Sequence, residues 1–131
     1  MSRTEEHVGE WKVTLRADSL AELFIEIARV IARTCGPTRA AASPWTRITL
    51  TARDDATLLA DWANELLGRA EVEHAAFVDV RALEVHDGEL DAEIRGYPVV
   101  DWRSPLKAAT YHGLTLDRRD GRWTATVLFD V

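Results

Sequence analysis

The side chains able to do chemistry in this chain are few and scattered. His112 could act as a general base, but no serine, cysteine or acid stands near it at a recognisable motif spacing. Asp61 and Glu65 form an i,i+4 acidic pair, and with Asp54, Asp55, Glu71 and Glu73 close by the simplest expectation is a solvated helix face. The neighbouring Asn64 and Glu65 could instead meet a partner. The single cysteine, Cys35, cannot close an internal disulfide, and with four separated histidines it builds neither a thiolate zinc site nor a redox pair. Neither GxxxxGK nor GxGxxG occurs, so a phosphate cradle is lacking and stand-alone nucleotide chemistry has no support.

The elements that must position these residues can be read from periodicity. Trp11, Val13 and Leu15 alternate with Glu10, Lys12, Thr14 and Arg16, the period of a half-buried strand with Glu10 pointing away from the core. Ser19 followed by Glu22 is a capping box, and Leu20, Leu23, Phe24, Ile27, Val30 and Ile31 lie on one face of the helix it starts, which Gly36-Pro37 stops. Thr38 to Pro44 reads as a loop and Ile48, Leu50 and Ala52 as a second strand. A second helix, capped by Asp54 or Asp55, is expected over Ala56 to Leu67, with Gly68 as the left-handed residue beyond its end.

The second half changes period. Phe77 to Val85 and Leu90 to Ile94 flank Asp87-Gly88, a hairpin turn, and the apolar parity shifts near Ala82, which calls for a bulge or a strand buried on both faces. An irregular stretch with Gly96, Pro98 and Pro105 leads to a second hairpin from Leu106 to Val131 about Asp120-Gly121. Trp11, Trp62 and Trp123 fall in core positions, whereas Trp102, in a Pro-flanked loop, is a candidate interface anchor. The order is β-α-β-α-β-β-β-β, an α+β fold in which two amphipathic helices pack on a largely antiparallel sheet.

Size and charge bound the rest. The chain has 131 residues, 47% of them hydrophobic, and no internal repeat or linker, which suits one domain over 1–131. Sixteen Lys and Arg against twenty-two Asp and Glu give a formal net charge of −6, the wrong sign for holding nucleic acid by its phosphates alone. The opening Met1 to His7 is polar, and no run approaches the roughly eighteen apolar residues of a membrane span, so the cytoplasm is the expected compartment.

Several long segments carry a resemblance. LKAATYHGLTLDRRDGRWTATVLFDV, from Leu106 to Val131, resembles the closing segment of the archease family almost position for position. DSLAELFIEIA from Asp18 is similar to that family's first helix, LLADWANELL from Leu58 to its second, and Gly96-Tyr97-Pro98 to its Gly-x-Pro turn. The resemblance covers nearly the whole chain, with its motifs in order. It implies an archease-like single domain and a metal-binding accessory protein, not itself an enzyme, that works with the GTP-dependent RNA ligase of tRNA splicing and RNA repair. Such a protein promotes guanylylation of the ligase's active-site histidine and so multiple turnover, touching RNA only through the ligase. An acidic chain that meets a ligase needs no basic face of its own.

The resemblance also implies a ligand set. The family's His-Thr-Ala-Asp stretch corresponds to His7-Val8-Gly9-Glu10, so Glu10 replaces the family's aspartate, and Lys12 stands where the pattern has a glycine. The family's other metal ligands match Asp130 and the terminal Val131 without a shift. The residues make such a site reasonable. Glu10 and Asp130 both take the outward parity of terminal strands, and three converging carboxylates would repel unless a hard divalent cation, Ca²⁺ or Mg²⁺, lay among them. The ammonium of Lys12 would weaken that binding. Lys107 matches a functional lysine of the family, and its parity, opposite Leu106, Ala108, Leu114 and Leu116, leaves it available to the partner together with Tyr111. Two other readings remain: a chaperone-like interaction module for another nucleic-acid enzyme, its metal site vestigial, and an independent metal-dependent hydrolase, which the missing ligand histidines disfavour.

Overall fold

The computed structural model describes residues 1–7, 9–104 and 106–131, so that Pro105 of the irregular stretch and Val8 of the His7 to Glu10 segment lie outside the described residues. Seven strands and two helices follow in the order β1 (Ser2–His7), β2 (Glu10–Ala17), α1 (Leu20–Thr34), β3 (Thr46–Thr51), α2 (Asp55–Glu73), β4 (Ala75–His86), β5 (Glu89–Pro98), β6 (Ala108–Arg119) and β7 (Arg122–Asp130). All strand pairs are antiparallel, in two sheets of order β1-β2-β7-β6 and β3-β5-β4. The helices pack on each other and each touches both sheets. The α+β class is as expected. Division into two sheets is new, because alternation shows which side of a strand is buried and not which strand lies beside it.

The elements form for local reasons. Ser19 caps α1 by accepting from the Glu22 N–H at 3.2 Å, and Glu22 reaches back to the Asp18 N–H at 3.4 Å. Asp54, not Asp55, caps α2, accepting from the Thr57 N–H at 2.7 Å. Asp55 instead accepts from the Gly88 N–H at 2.7 Å, tying the start of α2 to the β4–β5 turn. Asp87 and Gly88 have φ of 47° and 76°, the two left-handed residues that a type I′ turn requires. Ala82 has φ 50° where the β4–β5 register shifts, so the irregularity there is a bulge.

Gly96 and Pro98 lie inside β5, which pairs with β4 as far as Pro98, and not in an irregular stretch after Ile94. Two further expectations need correction. The strand β1 precedes the expected first strand: its sequence, SRTEEH, has no apolar alternation, and it exists by pairing with β2, Arg3 opposite Thr14 and Glu5 opposite Lys12. The second helix does not stop at Gly68 but runs to Glu73, because Leu66 and Ala70 are both buried and hold the next turn on the core. The left-handed residue that closes it is His74, φ 51°, whose ring stacks on Trp102 at 5.2 Å. One apolar core joins the layers, with Phe24, Trp62 and Phe129 fully buried and the Trp62 Nε1–H donating to the Phe24 carbonyl at 2.9 Å. No helix among the described residues is long and apolar enough to cross a membrane.

Candidate functional site

The last residue of β7 and the first of β2 meet at one corner of the four-stranded sheet. Asp130 lies directly opposite Glu10 in the β2–β7 register, and Ala108 of β6 lies opposite Asp130 on the other side. Phe129, Val127, Val13 and Leu15 are buried, so the odd positions face the core and Glu10 and Asp130 share the outer face. Directly opposed residues hold their Cβ atoms about 4.5–5.5 Å apart, and two like charges so placed destabilise the pair unless a counter-charge lies between them. Lys12, opposite Leu128, is on the same outer face. Among the described residues no ion pair within 4.0 Å engages Glu10, Asp130, Lys12 or Lys107.

Backbone bonds close the corner. The Lys107 N–H donates to the Asp130 carbonyl at 2.8 Å and the Val131 N–H to the Gly9 carbonyl at 3.3 Å, with Val131 half-buried against the core. Glu10, Asp130, Val131 and Lys107 are thus neighbours in space although the sequence separates them. Among the described residues no three His, Cys, Asp or Glu side chains stand close enough to hold a metal by themselves. A cation here would take Glu10 and Asp130 as its two side-chain donors, with Val131 oxygens and water completing the six to eight or so that Ca²⁺ prefers.

Lys107 is exposed, but not for the parity reason. Ala109, of the same parity, is buried opposite Phe129, whereas beyond the register shift between Thr110 and Thr115 it is Leu116 that faces buried Ala125. The bulge reverses the faces along β6, and Lys107 is exposed because it precedes the strand. It lines a groove of about 480 Å³ between α2 and the chain leading into β6, together with Asn64, Leu67, Gly68 and Leu106. Tyr111 is not a free companion: its hydroxyl donates to Asp61 on α2, a bond that holds the phenol above its usual pKa.

The other candidates, His112 apart, are engaged within the fold. Asp61 is half-buried under Tyr111, and Glu65 pairs with Arg69 at 3.7 Å, so the acidic pair is more than a solvated face. Asn64 bonds both peptide groups of Ala109, a contact across 45 residues that no local pattern could reveal. Cys35 is buried, its thiol pushed up by desolvation and donating to the Ile31 carbonyl at 3.4 Å. His112 is exposed on β6, with no acid or nucleophile bonded to it among the described residues. Trp102 is half-buried on His74.

The outer face of β3-β5-β4 carries ion pairs that the sequence reading did not single out: Arg47 on Asp91, Arg81 on Glu93, and Arg95 on Asp79. Arg81 and Arg95 lie 3.9 and 4.5 Å from the Trp45 ring centre. The Tyr97 hydroxyl and then the Arg95 guanidinium, both bonded to Asp79, hold its carboxyl below the usual range. A groove of about 630 Å³ that includes Asp91 is larger in volume than the one at Lys107, but its Asp91 is already engaged by Arg47.

Comparison with known proteins bears on the family and the fold. Residues 3–131 match the Archease protein family (MTH1598/TM1083). The chain is 30% identical to the protein archease of Methanopyrus kandleri, each covered to 96%, and 27% identical to that of Methanosarcina mazei over 96% of this chain and 92% of the relative. In fold it is similar to Methanobacterium thermoautotrophicum protein 1598, with a TM-score of 0.74 at 23% identity over 99% of this chain and 98% of the other. It is also similar to a Thermotoga maritima protein described as an archease and possible chaperone, with a TM-score of 0.72 at 18% identity over 100% and 98%. With residues 3–131 matched by the family model and 96% of the chain aligned to a relative at 30% identity, the chain belongs to the archease protein family.

Proposed function

We propose that this chain is a metal-binding accessory protein that activates the GTP-dependent RNA ligase of tRNA splicing and RNA repair, and that it is not itself an enzyme. It promotes guanylylation of the ligase's active-site histidine, so that a ligase limited to slow or single rounds turns over repeatedly. The observation that carries this reading is the register that sets Glu10 opposite Asp130, with Lys107 bonded through its backbone to the same aspartate. Glu10, Asp130 and Val131 would hold a hard divalent cation, Ca²⁺ or Mg²⁺, whose charge offsets the opposed carboxylates. Lys107, exposed at the edge of that corner, presents its ammonium to the ligase. The nucleotide and the RNA stay on the partner, in keeping with a net charge of −6.

The test is an RNA-joining reaction with limiting purified ligase, GTP and broken RNA. Adding the chain raises the number of ends joined per ligase above one, and Lys107→Ala abolishes the gain; unchanged turnover with the native chain would sink the reading. The alternative is a chaperone-like module for another nucleic-acid enzyme, its cation site vestigial because Glu10 and Lys12 depart from the family pattern. The description of the Thermotoga relative as a possible chaperone favours it. Suppression of aggregation of many unrelated clients, with no effect on the ligase, would move that reading ahead.

A further inference from the structure

We infer that Asn64 is a positioning residue that locks the Lys107 and Asp130 end of the four-stranded sheet, so that the lysine and the acidic corner form one fixed surface. β6 is an edge strand, and among the described residues the Ala109 peptide groups have no strand to pair with on the side away from β7. Asn64 supplies both partners: its Oδ1 accepts from the Ala109 N–H at 2.8 Å and its Nδ2 donates to the Ala109 carbonyl at 3.0 Å. A planar side-chain amide with one donor and one acceptor thus replaces a rung of the ladder. Its base is rigid, because Ala63 and Leu66 beside it on α2 are buried.

The segment that Asn64 holds has only a short ladder with β7. Only Ala108, Ala109 and Thr110 pair with β7 before the register breaks, and pairing resumes at Thr115. This short stretch carries the corner: Ala108 opposes Asp130, and the Lys107 N–H donates to the Asp130 carbonyl at 2.8 Å. Asn64 and Lys107 also line the same groove. Freed from Asn64, the stretch would fray between the bulge and the preceding loop, and Lys107 and Asp130 would lose their fixed separation. The functional consequence rests on the proposed cation and ligase reading; the positioning itself does not.

The experiment compares the full chain with Asn64→Ala, Asn64→Asp and Tyr111→Phe. Its readouts are NMR-detected amide exchange and calorimetric titration of Ca²⁺ alone. Asn64→Ala should speed exchange at Ala109 and Lys107 by about tenfold or more and weaken Ca²⁺ binding by a similar factor, with the Val13 and Val127 amides still protected. Asn64→Asp keeps the acceptor for the Ala109 N–H and should restore part of that protection; it also serves if the alanine variant fails to fold. Tyr111→Phe breaks the Tyr111–Asp61 hydrogen bond between β6 and α2, and should leave Ca²⁺ affinity within about twofold, as general loosening of the helix would not. Unchanged exchange at Ala109 and Lys107 in Asn64→Ala, or an equal loss in Tyr111→Phe, would overturn the inference. Should the native chain bind no Ca²⁺, the cation reading fails and the exchange data alone decide the role of Asn64.

Discussion

Replacing Gly68 by alanine should stabilise the protein, and the sign of the change tests how α2 is built. Gly68 lies inside a helix that runs from Asp55 to Glu73, is exposed, and a Cβ built on it meets nothing within 4 Å. It has no positive φ to protect, unlike Gly88 in the β4–β5 turn. In such a place glycine costs about 0.8–1 kcal/mol relative to alanine, part of it through the freedom it gives the unfolded chain. At about 2.1 cal/mol/K of unfolding entropy per residue, a chain of 131 residues should gain about 3–4 °C in Tm. Thermal melts followed by circular dichroism at matched concentration measure this. Were Gly68 the left-handed residue closing a shorter helix, alanine would be strained there and Tm would fall by a similar amount. A fall, or no change, would refute a continuous α2.

Three further outcomes follow from the packing and the ionisable groups. Trp62→Phe removes the Nε1–H bond to the Phe24 carbonyl and leaves a gap at a site with no solvent exposure, and should cost about 2–3 kcal/mol in urea denaturation; a loss under 1 kcal/mol would contradict the buried bond. The Asp79 carboxyl is held low in the folded state first by Tyr97 and then by Arg95, so its contribution is fully present above the unfolded value of about 3.9 and is lost as pH falls through its lower folded value. The stability gap between native protein and Asp79→Asn should therefore be wide at pH 7 and 5 and close below about pH 3.9, whereas a gap independent of pH would argue against the Tyr97–Asp79–Arg95 cluster. Cys35, buried with its thiol pushed up, should resist an aromatic disulfide reagent until urea unfolds the chain; stoichiometric reaction of the native protein would contradict that burial.

Much of the fold was legible because local chemistry and burial agree. Ser19 with Glu22 and Asp87 with Gly88 each specify a backbone conformation within a few residues and are found where expected, whereas the shift of parity at Ala82 marked the place of an irregularity that the structure shows to be a bulge. β1 was not legible, since SRTEEH gains its order from hydrogen bonds to β2 rather than from an apolar face. Nor was the end of α2, because a left-handed histidine leaves no pattern and the burial of Ala70 outweighs the breaking tendency of Gly68. For the candidate site, the outward parity of Glu10 and Asp130 could be read, but their opposition is a matter of register between the two ends of the chain. The bonds of Asn64 to Ala109 are more remote still, since each residue alone has an ordinary local pattern.

Fold and function meet in the claim that the corner of Glu10, Asp130 and Val131 takes a hard divalent cation. Calorimetric titration of Ca²⁺ and then Mg²⁺ into chelator-treated protein tests it directly, beside Asp130→Asn and a variant with residues appended after Val131. The account predicts saturable binding by the native chain that both variants lose. Absence of binding by the native chain, or binding that survives both changes, would contradict it.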